Sequence, residues 1–496
     1  MVQRLLPVRA PVPLWRREGQ RALEALQRSR SPTPLMDLAG LACARLALAI
    51  APHARCIWVL AGPGNNGGDG LEAALHLHRW GLRVQVQLLA SPEALPADAR
   101  RAWLRASDAG VPLQIGLHPA PALGAQDLCI DALLGLGASR APEGRLREAI
   151  HAIRRQNAPV LAIDLPSGLD ADSGQPLGTS EDCVRAHHTL CLLAAKPGLF
   201  MGQGRDLCGQ LWLDTLGLPA SSEGLPTPDA WLNAPPAPAQ RAHASHKGSH
   251  GDVAVVGGES LSQDTGMSGA ALLAAQAALH GGAGRVMLSL LGPAPAGART
   301  LAPDLMRRAL PELPLGELTV VAGCGGGRAI AQPLGTLLQR SARLVLDADG
   351  LNRLAEDPWL QDLLRERARR GQPTVLTPHP LEAARLLGCS TAQVQADRLR
   401  AAQDLATRYG AVVVLKGSGT VLAATGQIPR INPSGNGLLA TGGTGDVLAG
   451  LAGARLARSG DAWAAACDAV WTHGQAADDW PTGQALTASA LAERLR

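Results

Sequence analysis

Short, almost wholly apolar runs alternate with helical patterns along most of this chain, and that alternation restricts the fold more than any other feature. Cys56 to Ala61, Arg83 to Leu89, Asp127 to Asp131 and Pro159 to Asp164 read as strands, with helices at Gly68 to Trp80, Pro96 to Ala109 and Arg145 to Gln156. A strand that is apolar on both faces needs cover on both, so the pattern predicts a parallel sheet with helices above and below it. The alternation stops between Leu216 and Ser245, where Pro219, Pro226, Pro228, Pro235, Pro236 and Pro238 sit among Ala and Ser. It then restarts with strands at Asp252 to Val256, Arg285 to Leu291, Thr319 to Ala322, Arg343 to Leu346, Thr374 to Leu376 and Ala411 to Leu415. Helices are expected at Gly269 to Gly281, Ala329 to Gln339, Pro380 to Leu387, Thr391 to Tyr409, Gly445 to Leu456 and Ala462 to Asp478. The expectation is two three-layer α/β domains, residues 1–215 and 245–496, joined by an extended Pro-rich linker over 216–244. In such sheets ligands bind where the C-terminal ends of the strands converge.

Composition narrows the function classes. A net charge of +4 over 496 residues is too small to argue for nucleic acid or a membrane surface. The nine cysteines show no CxxC pair and no zinc spacing, which suits reduced thiols in a reducing compartment. Pro7, Arg9, Pro11, Pro13 and Arg16 interrupt the N-terminus, and no run approaches the ~20 apolar residues of a spanning helix. The expectation is a cytoplasmic protein acting on small molecules.

In the second half, Ala440-Thr441-Gly442-Gly443-Thr444-Gly445-Asp446 opens a helix. Glycines at a helix start let backbone N–H groups converge, and the helix dipole adds partial positive charge, so the turn suits a phosphate. Asp446 beside it is placed to take a proton from an attacking hydroxyl. Taken alone, such a turn is as often a plain helix start. Three further strand ends strengthen the active-site reading. They are Val412 to Leu415 running into Lys416-Gly417-Ser418-Gly419-Thr420, Val345-Leu346-Asp347-Ala348-Asp349-Gly350-Leu351-Asn352, and Leu376-Thr377-Pro378-His379-Pro380-Leu381-Glu382. A solvated Lys in a turn and a structural His remain the bland alternatives.

In the first half, strand Cys56 to Ala61 ends in Gly62-Pro63-Gly64-Asn65-Asn66-Gly67-Gly68-Asp69-Gly70. This is neither a G-x-G-x-x-G fingerprint with an acidic ribose ligand nor a Walker A loop, yet it offers a phosphate cradle at a helix N-terminus. Ile130-Asp131-Ala132-Leu133-Leu134-Gly135-Leu136-Gly137 and Ala162-Ile163-Asp164-Leu165-Pro166-Ser167-Gly168-Leu169-Asp170 are two more strand ends on the same edge, with helix caps and Asx turns as their bland alternatives.

From about Ser245 to Leu495 the ordered motifs resemble the ribokinase-like superfamily and, more narrowly, the ADP/ATP-dependent NAD(P)H-hydrate dehydratases. His246-Lys247-Gly248-Ser249-His250-Gly251 and Ser268-Gly269-Ala270 fit the same resemblance. It implies that Lys416, Gly417, Ser418, Gly419, Thr420 and Gly445 bind the adenine nucleotide. It also implies that Ala270, Gly325, His379 and Asp446 contact the hydrated nicotinamide nucleotide, NADHX or NADPHX, with Mg²⁺ offsetting phosphate charge. From about Trp15 to Leu213 the chain is similar to the NAD(P)H-hydrate epimerase domain, a Rossmann-like domain that many bacteria fuse ahead of the dehydratase. That implies substrate binding by Asn65, Asn66, Gly67, Gly68 and Asp69, and by Gly135, Leu136, Gly137, Ala138, Ser139, Arg140 and Ala141. Asp164 is expected at the reacting ring, and K⁺ on Asn66, Asp131 and Ser167. In bacterial relatives ADP is the usual donor and AMP the product, and a homo-oligomer is expected. The rivals are a ribokinase-like small-molecule kinase with a fused nucleotide-binding domain and, for the first half, a non-catalytic nucleotide sensor.

Overall fold

The structure, a computed structural model, describes residues 1–219, 223–237, 242–260, 266–292 and 302–495. Pro238 of the Pro-rich segment lies outside the described residues. The chain forms two compact units. The first holds Met1–Val8 and Pro13–Ala230, and the second holds Arg9–Val12 and Trp231–Arg496.

The first unit is built on β1 (Gln3–Arg4), β2 (Ile57–Ala61), β3 (Val84–Leu88), β4 (Leu113–Ile115), β5 (Leu128–Ala132), β6 (Val160–Ile163), β7 (His188–Leu192) and β8 (Gln210–Asp214). They lie in the order β1-β8-β7-β6-β5-β2-β3-β4, parallel throughout except for β1. Side chains of β2 alternate between two cores. Ile57, Val59 and Ala61 join a core that includes Leu23, Met36, Leu71 and Ala99 of the helices, while Trp58 and Leu60 join Ile150 and Ile153 on the other face. Helices Arg17–Arg30, Leu35–Ile50, Asn65–Arg79 and Ala97–Asp108 thus cover one face, and Gly144–Arg154 the other.

The second unit's strands are β9 (Ala230–Leu232), β10 (Asp252–Gly257), β11 (Arg285–Leu290), β12 (Met306–Arg307), β13 (Thr319–Ala322), β14 (Arg343–Leu346), β15 (Thr374–Leu376), β16 (Val412–Leu415), β17 (Val421–Ala423) and β18 (Arg430–Ile431). Their order is β12-β11-β10-β13-β14-β15-β16-β17-β18-β9, with antiparallel pairing only on either side of β17. Val253, Val255, Val321 and Val345 face a core shared with helices Ser268–His280, Thr444–Ser459 and Ala462–Asp478. Val320, Leu344 and Leu346 point the other way and are equally buried.

Two expectations meet a different structure. The Pro-rich stretch 216–244 contains a strand of the second sheet. Ala230–Leu232 pairs in parallel with Arg430–Ile431, and the division between units falls at Ala230. Its short apolar run (Ala230, Trp231, Leu232) joins the sheet beside a strand almost 200 residues away, a pairing with no local signal. The single helix expected over Thr391 to Tyr409 is two, Thr391–Ala396 and Arg398–Tyr409, because Asp397 leaves helical geometry and caps the second through Arg400 N–H.

Helix Thr444–Ser459 must approach Ser268–His280 closely, since a Cβ on Gly450 would sit 2.0 Å from the Ala274 carbonyl oxygen. Gly450→Ala should therefore force the two helices apart and destabilise the second unit by about 1–3 kcal/mol. Urea unfolding followed by circular dichroism would show it, and an unchanged midpoint would refute the close packing.

Candidate active sites

In the first unit the C-terminal ends of β2, β5 and β6 surround a cavity of about 630 Å³. Asn65, Asn66, Asp69, the loop Gly135 to Ala141 and Asp164 line it. Arg17 holds that loop by donating to the Ala138 carbonyl at 2.7 Å. Gly67 and Gly68 do not line it. They start helix Asn65–Arg79, where a Cβ would meet Gly62 O at 2.1 Å or Met36 Cε at 2.5 Å, so their small size serves packing.

Asp164 sits just past β6 with φ at 70°, a left-handed conformation that Asp tolerates better than most residues. Its carboxylate accepts from Lys196 Nζ and from Leu136 N–H at 3.3 Å. Lys196 is 1 % exposed, and its ammonium also donates to the Leu192 and Ala194 carbonyls, at 3.3 and 3.2 Å. Lys196 was not singled out from the sequence. It follows strand β7, which the sequence pattern did not reveal.

Behind the cavity wall lie Asp131 and Ser167, both fully buried. Ser167 donates to Asp131 through its backbone N–H at 2.8 Å and its hydroxyl at 2.6 Å, while Leu134 N–H donates to the Ser167 hydroxyl at 2.8 Å. Burial raises the Asp131 carboxyl to about 6 against the bonds from Ser167. Asn66 packs against Gly135, and its side-chain N–H₂ is buried with no partner.

In the second unit the ends of β13, β14, β15 and β16 come together with the start of helix Thr444–Ser459. Lys416 Nζ donates to Asp347 Oδ1 at 2.7 Å, and the Thr377 hydroxyl donates to the same oxygen at 2.7 Å. Burial opposes the lysine's charge, but Asp347 and Glu382 outweigh it and hold Lys416 above its usual range. One donor atom each from Cys324, Asp347 and Asp446 lies within 4.8 Å of the other two. Burial and the neighbouring Asp347 raise the Asp446 carboxyl to about 6.

Gly443 caps the Asp446 helix at φ 91°, a conformation open to glycine, and Gly445 packs beside Lys416 Nζ. Buried His473 bonds through Nε2 to the Thr444 carbonyl at 2.9 Å, and burial drops it to about 4, so it stays neutral and pins this turn. On the facing turn, Arg398 holds Lys416 to Thr420 in shape by donating to the carbonyls of Leu415 (3.1 Å), Lys416 (3.2 Å) and Gly419 (3.4 Å). Arg398 lies on a helix far from the motif and carries no sequence signal of this role.

Ala270 and Gly325 also meet, since a Cβ on Gly325 would lie 2.9 Å from that of Ala270. His379 caps helix Pro380–Leu387, its Nδ1 accepting from Leu381 N–H at 3.1 Å and Glu382 N–H at 3.3 Å. Nδ1 is thereby the acceptor nitrogen and Nε2 carries the proton, 3.2 Å from Glu382 Oε1. Burial raises Glu382 to about 7, against Lys416.

Residues 32–198 match the family model described as the YjeF-related protein N-terminus, and residues 253–496 match the one described as NAD(P)H-hydrate dehydratase. The chain is 36 % identical to the bifunctional NAD(P)H-hydrate repair enzyme Nnr of Escherichia coli K12, over 95 % of this chain and 90 % of the relative. It belongs to the bifunctional NAD(P)H-hydrate repair enzymes. The Nnr of Coxiella burnetii is 37 % identical, covering 94 % of each chain. A solved ADP/ATP-dependent NAD(P)H-hydrate dehydratase from Bacillus subtilis, co-crystallised with ATP and Mg²⁺, is 29 % identical over 53 % of this chain and 92 % of its own, with a TM-score of 0.44. Among the described residues no single helix is long and apolar enough to cross a membrane.

Within this family frame, the raised proton affinity of Asp446 has a measurable consequence. The folded state binds the proton more tightly than the unfolded chain, so ionising Asp446 costs stability in full above about pH 6, and the cost vanishes below the ordinary carboxylate range near 4. Asp446→Asn should stabilise the second unit by about 1–2 kcal/mol near pH 8, after discounting for its partial contact with water, and by nothing below about pH 4. Urea melts at the two pH values give the difference, and a gain independent of pH would refute the crowded carboxylate.

Proposed function

We propose that this chain interconverts the R and S forms of NADHX and NADPHX in its first unit. In its second, it returns the S form to NADH or NADPH at the expense of ADP or ATP, with AMP and phosphate as the products from ADP. The observation that carries the second activity is Asp446, a half-buried carboxylate of raised proton affinity beside the turn Gly442 to Gly445 and the Asp347–Lys416 pair. Hydroxide is a poor leaving group, whereas a phosphate on the same oxygen is a good one. Asp446 takes the proton from the hydroxyl at C6 of the hydrated ring, and the N–H groups of the glycine turn hold the phosphoryl group as it transfers. The ring nitrogen's lone pair then expels phosphate, and loss of a proton from C5 to water forms the C5=C6 double bond and returns the pair to nitrogen. Lys416, Gly417, Ser418, Gly419, Thr420 and Gly445 hold the adenine nucleotide, and Ala270, Gly325 and His379 the hydrated nucleotide.

Mg²⁺ fits here as an ion carried on the nucleotide's phosphates, which it would neutralise. The nearest protein donors are a soft thiol at Cys324, Asp347 with one oxygen already taken by Lys416 and Thr377, and Asp446, which the reaction uses as its base. In the first unit, Asn65, Asn66, Asp69 and Gly135 to Ala141 cradle the substrate nucleotide, Gly67 and Gly68 shape the turn behind them, and Asp164 acts on the ring as acid or base. K⁺ fits the buried oxygens of Asn66, Asp131 and Ser167. Asp131 is a fully buried carboxylate that forms no salt bridge among the described residues, and Asn66 beside Gly135 is buried with it. There the ion would neutralise Asp131 and steady the Leu133 to Gly135 turn.

The rival small-molecule kinase accounts for the second unit but gives the first, with its separate carboxylate-lined cavity, nothing to do. The decisive assay mixes the chain with hydrated NADH, ADP or ATP, and Mg²⁺, and follows the absorbance of the reduced nicotinamide. Asp446→Asn should lower dehydration by about 10²–10⁴-fold and leave R/S interconversion intact, while Asp164→Asn should do the converse. Dehydration by Asp446→Asn at the parental rate would sink the mechanism. Exchanging K⁺ for choline should slow interconversion alone.

A further inference from the structure

The cavity of the first unit holds more carboxylates than a single acid/base group requires. Besides Asp164 and Asp69 it is lined by Glu24, which comes from helix Arg17–Arg30. That helix is fixed over the site by Gln20, 2 % exposed, whose side-chain amide donates to the Ala194 and Ala195 carbonyls at 3.1 and 3.2 Å. Gln20 and Glu24 are four residues apart and so share one helix face. The peptides that Gln20 grips belong to the same loop as Lys196, so the face that carries Glu24 is clamped beside the Asp164–Lys196 pair. The helix end that bears Glu24 is tied again one turn later, where Gln27 donates to the Leu216 carbonyl at 2.7 Å.

We propose that Glu24 is a second catalytic residue of the epimerase unit, exchanging a proton with the C6 oxygen of the hydrated ring opposite Asp164. This rests on the epimerase reading above. Inversion at C6 needs one of its bonds to break and re-form on the other face. The Glu24 carboxylic acid gives its proton to the C6 hydroxyl. The C6–O bond breaks with its electron pair on oxygen, water departs, and the ring nitrogen's lone pair closes a C=N bond. Water adds to the opposite face and gives up a proton to the Asp164 carboxylate, and the nitrogen recovers its pair. Glu24 has then lost one proton and Asp164 has gained one, and proton exchange with water in the cavity, or turnover in the reverse sense, restores both.

The scheme needs Glu24 protonated at the start, and its surroundings favour that form. Asp164 touches the buried ammonium of Lys196, whose N–H groups are all engaged: by Asp164 and two carbonyls. Lys196 is thus a positioning residue for Asp164, its N–H groups all directed at that carboxylate and its own loop. Among the described residues Glu24 forms no salt bridge. The charged groups around it are Asp164, which favours its protonated form as burial does, and Lys196, Arg28 and Arg21, which oppose it, with a net rise above the usual range. Of the other carboxylates on the cavity wall, Glu143 is exposed at the start of helix Gly144–Arg154, and Asp69 lies on helix Asn65–Arg79 and is itself raised by burial and by Asp164 and Glu24.

The test uses the full chain with K⁺ present, the separated R and S hydrates of NADH, and chromatographic measurement of their interconversion from about pH 5 to 9. Glu24→Gln should lower kcat for interconversion at least ~10²-fold with KM little changed. It should also abolish the fall in rate toward high pH, since a group needed in its protonated form is gone. Glu24→Asp should restore part of kcat and the high-pH limb together. Dehydration of the S hydrate with ADP by the same Glu24→Gln preparation reports that the protein is intact. Interconversion within threefold of the parent with an unchanged pH profile overturns the proposal, as does removal of the high-pH limb by Asp69→Asn but not by Glu24→Gln. A parent chain that does not interconvert the hydrates at all overturns the epimerase reading itself.

Discussion

A carboxylate at the end of a buried parallel strand has little water in which to place its charge, and both units are arranged around that constraint. Each answers it with a buried lysine from a later loop, Lys196 on Asp164 in the first unit and Lys416 on Asp347 in the second. Losing either partner would strand the other's charge, which is far more costly than the pair is stabilising. The consequence is geometric. Two loops far apart in sequence are locked to one point at the sheet edge, and the remaining acidic groups inherit a field that already holds one committed negative charge. In the second unit that field acts on Asp446, whose proton affinity rises through burial and through Asp347 together.

The backbone pays for this placement with conformations that side chains avoid. Asp164 and Leu193 have φ of 70° and 63°, and Ala348, next to Asp347, has 48°. Such residues cost of order 1–3 kcal/mol each and persist where surrounding bonds over-determine them. Those bonds are present. Asp164 N–H donates to Leu190 O at 2.8 Å, Leu193 N–H to Asp214 O at 2.9 Å, and Asp347 N–H to Ala322 O at 3.0 Å. The strained residues bracket the two lysine–carboxylate pairs, so the regular sheet ends where the charged groups begin.

Much of this was legible in the chain itself. The strands Thr319–Ala322, Arg343–Leu346 and Thr374–Leu376 and the helices Pro380–Leu387 and Ala462–Asp478 stand where the apolar periodicity puts them, because long apolar runs leave few alternatives. The strand ends that carry Asp164, Asp347 and Lys416, and the helix start that carries Asp446, were visible for the same reason. Lys196, Glu24 and Arg398 were not. Lys196 follows a strand, His188–Leu192, whose polar neighbours His187 and His188 hide it, and Glu24 sits on a helix with four Arg residues and no apolar stripe wide enough to announce it. Arg398 acts on carbonyls near Lys416 that only the tertiary fold brings near, and the pairing of Ala230–Leu232 is equally non-local. Local propensity speaks for elements, whereas the partners of a buried charge are chosen by topology.

The glycine-rich segments show the same division at the level of single atoms. From sequence, Gly62 to Gly70 reads as one phosphate cradle, yet a Cβ at Gly62 would lie 1.8 Å from the Leu133 carbonyl oxygen and one at Gly67 2.1 Å from that of Gly62. Those glycines let the strand–helix turn fold down onto its neighbour. Gly64 and Gly137, by contrast, have nothing within 4 Å of an added Cβ and line the cavity. Gly442 is likewise open in the second unit, one residue before the strained cap of the Asp446 helix. A cluster of glycines is therefore two sets superimposed, one that brings backbone against backbone and one that leaves room for a ligand's phosphates. Only the first set makes the turn tight enough for the second to face the cavity, which is why a motif of this length is needed where a plain strand–helix turn would manage with one or two.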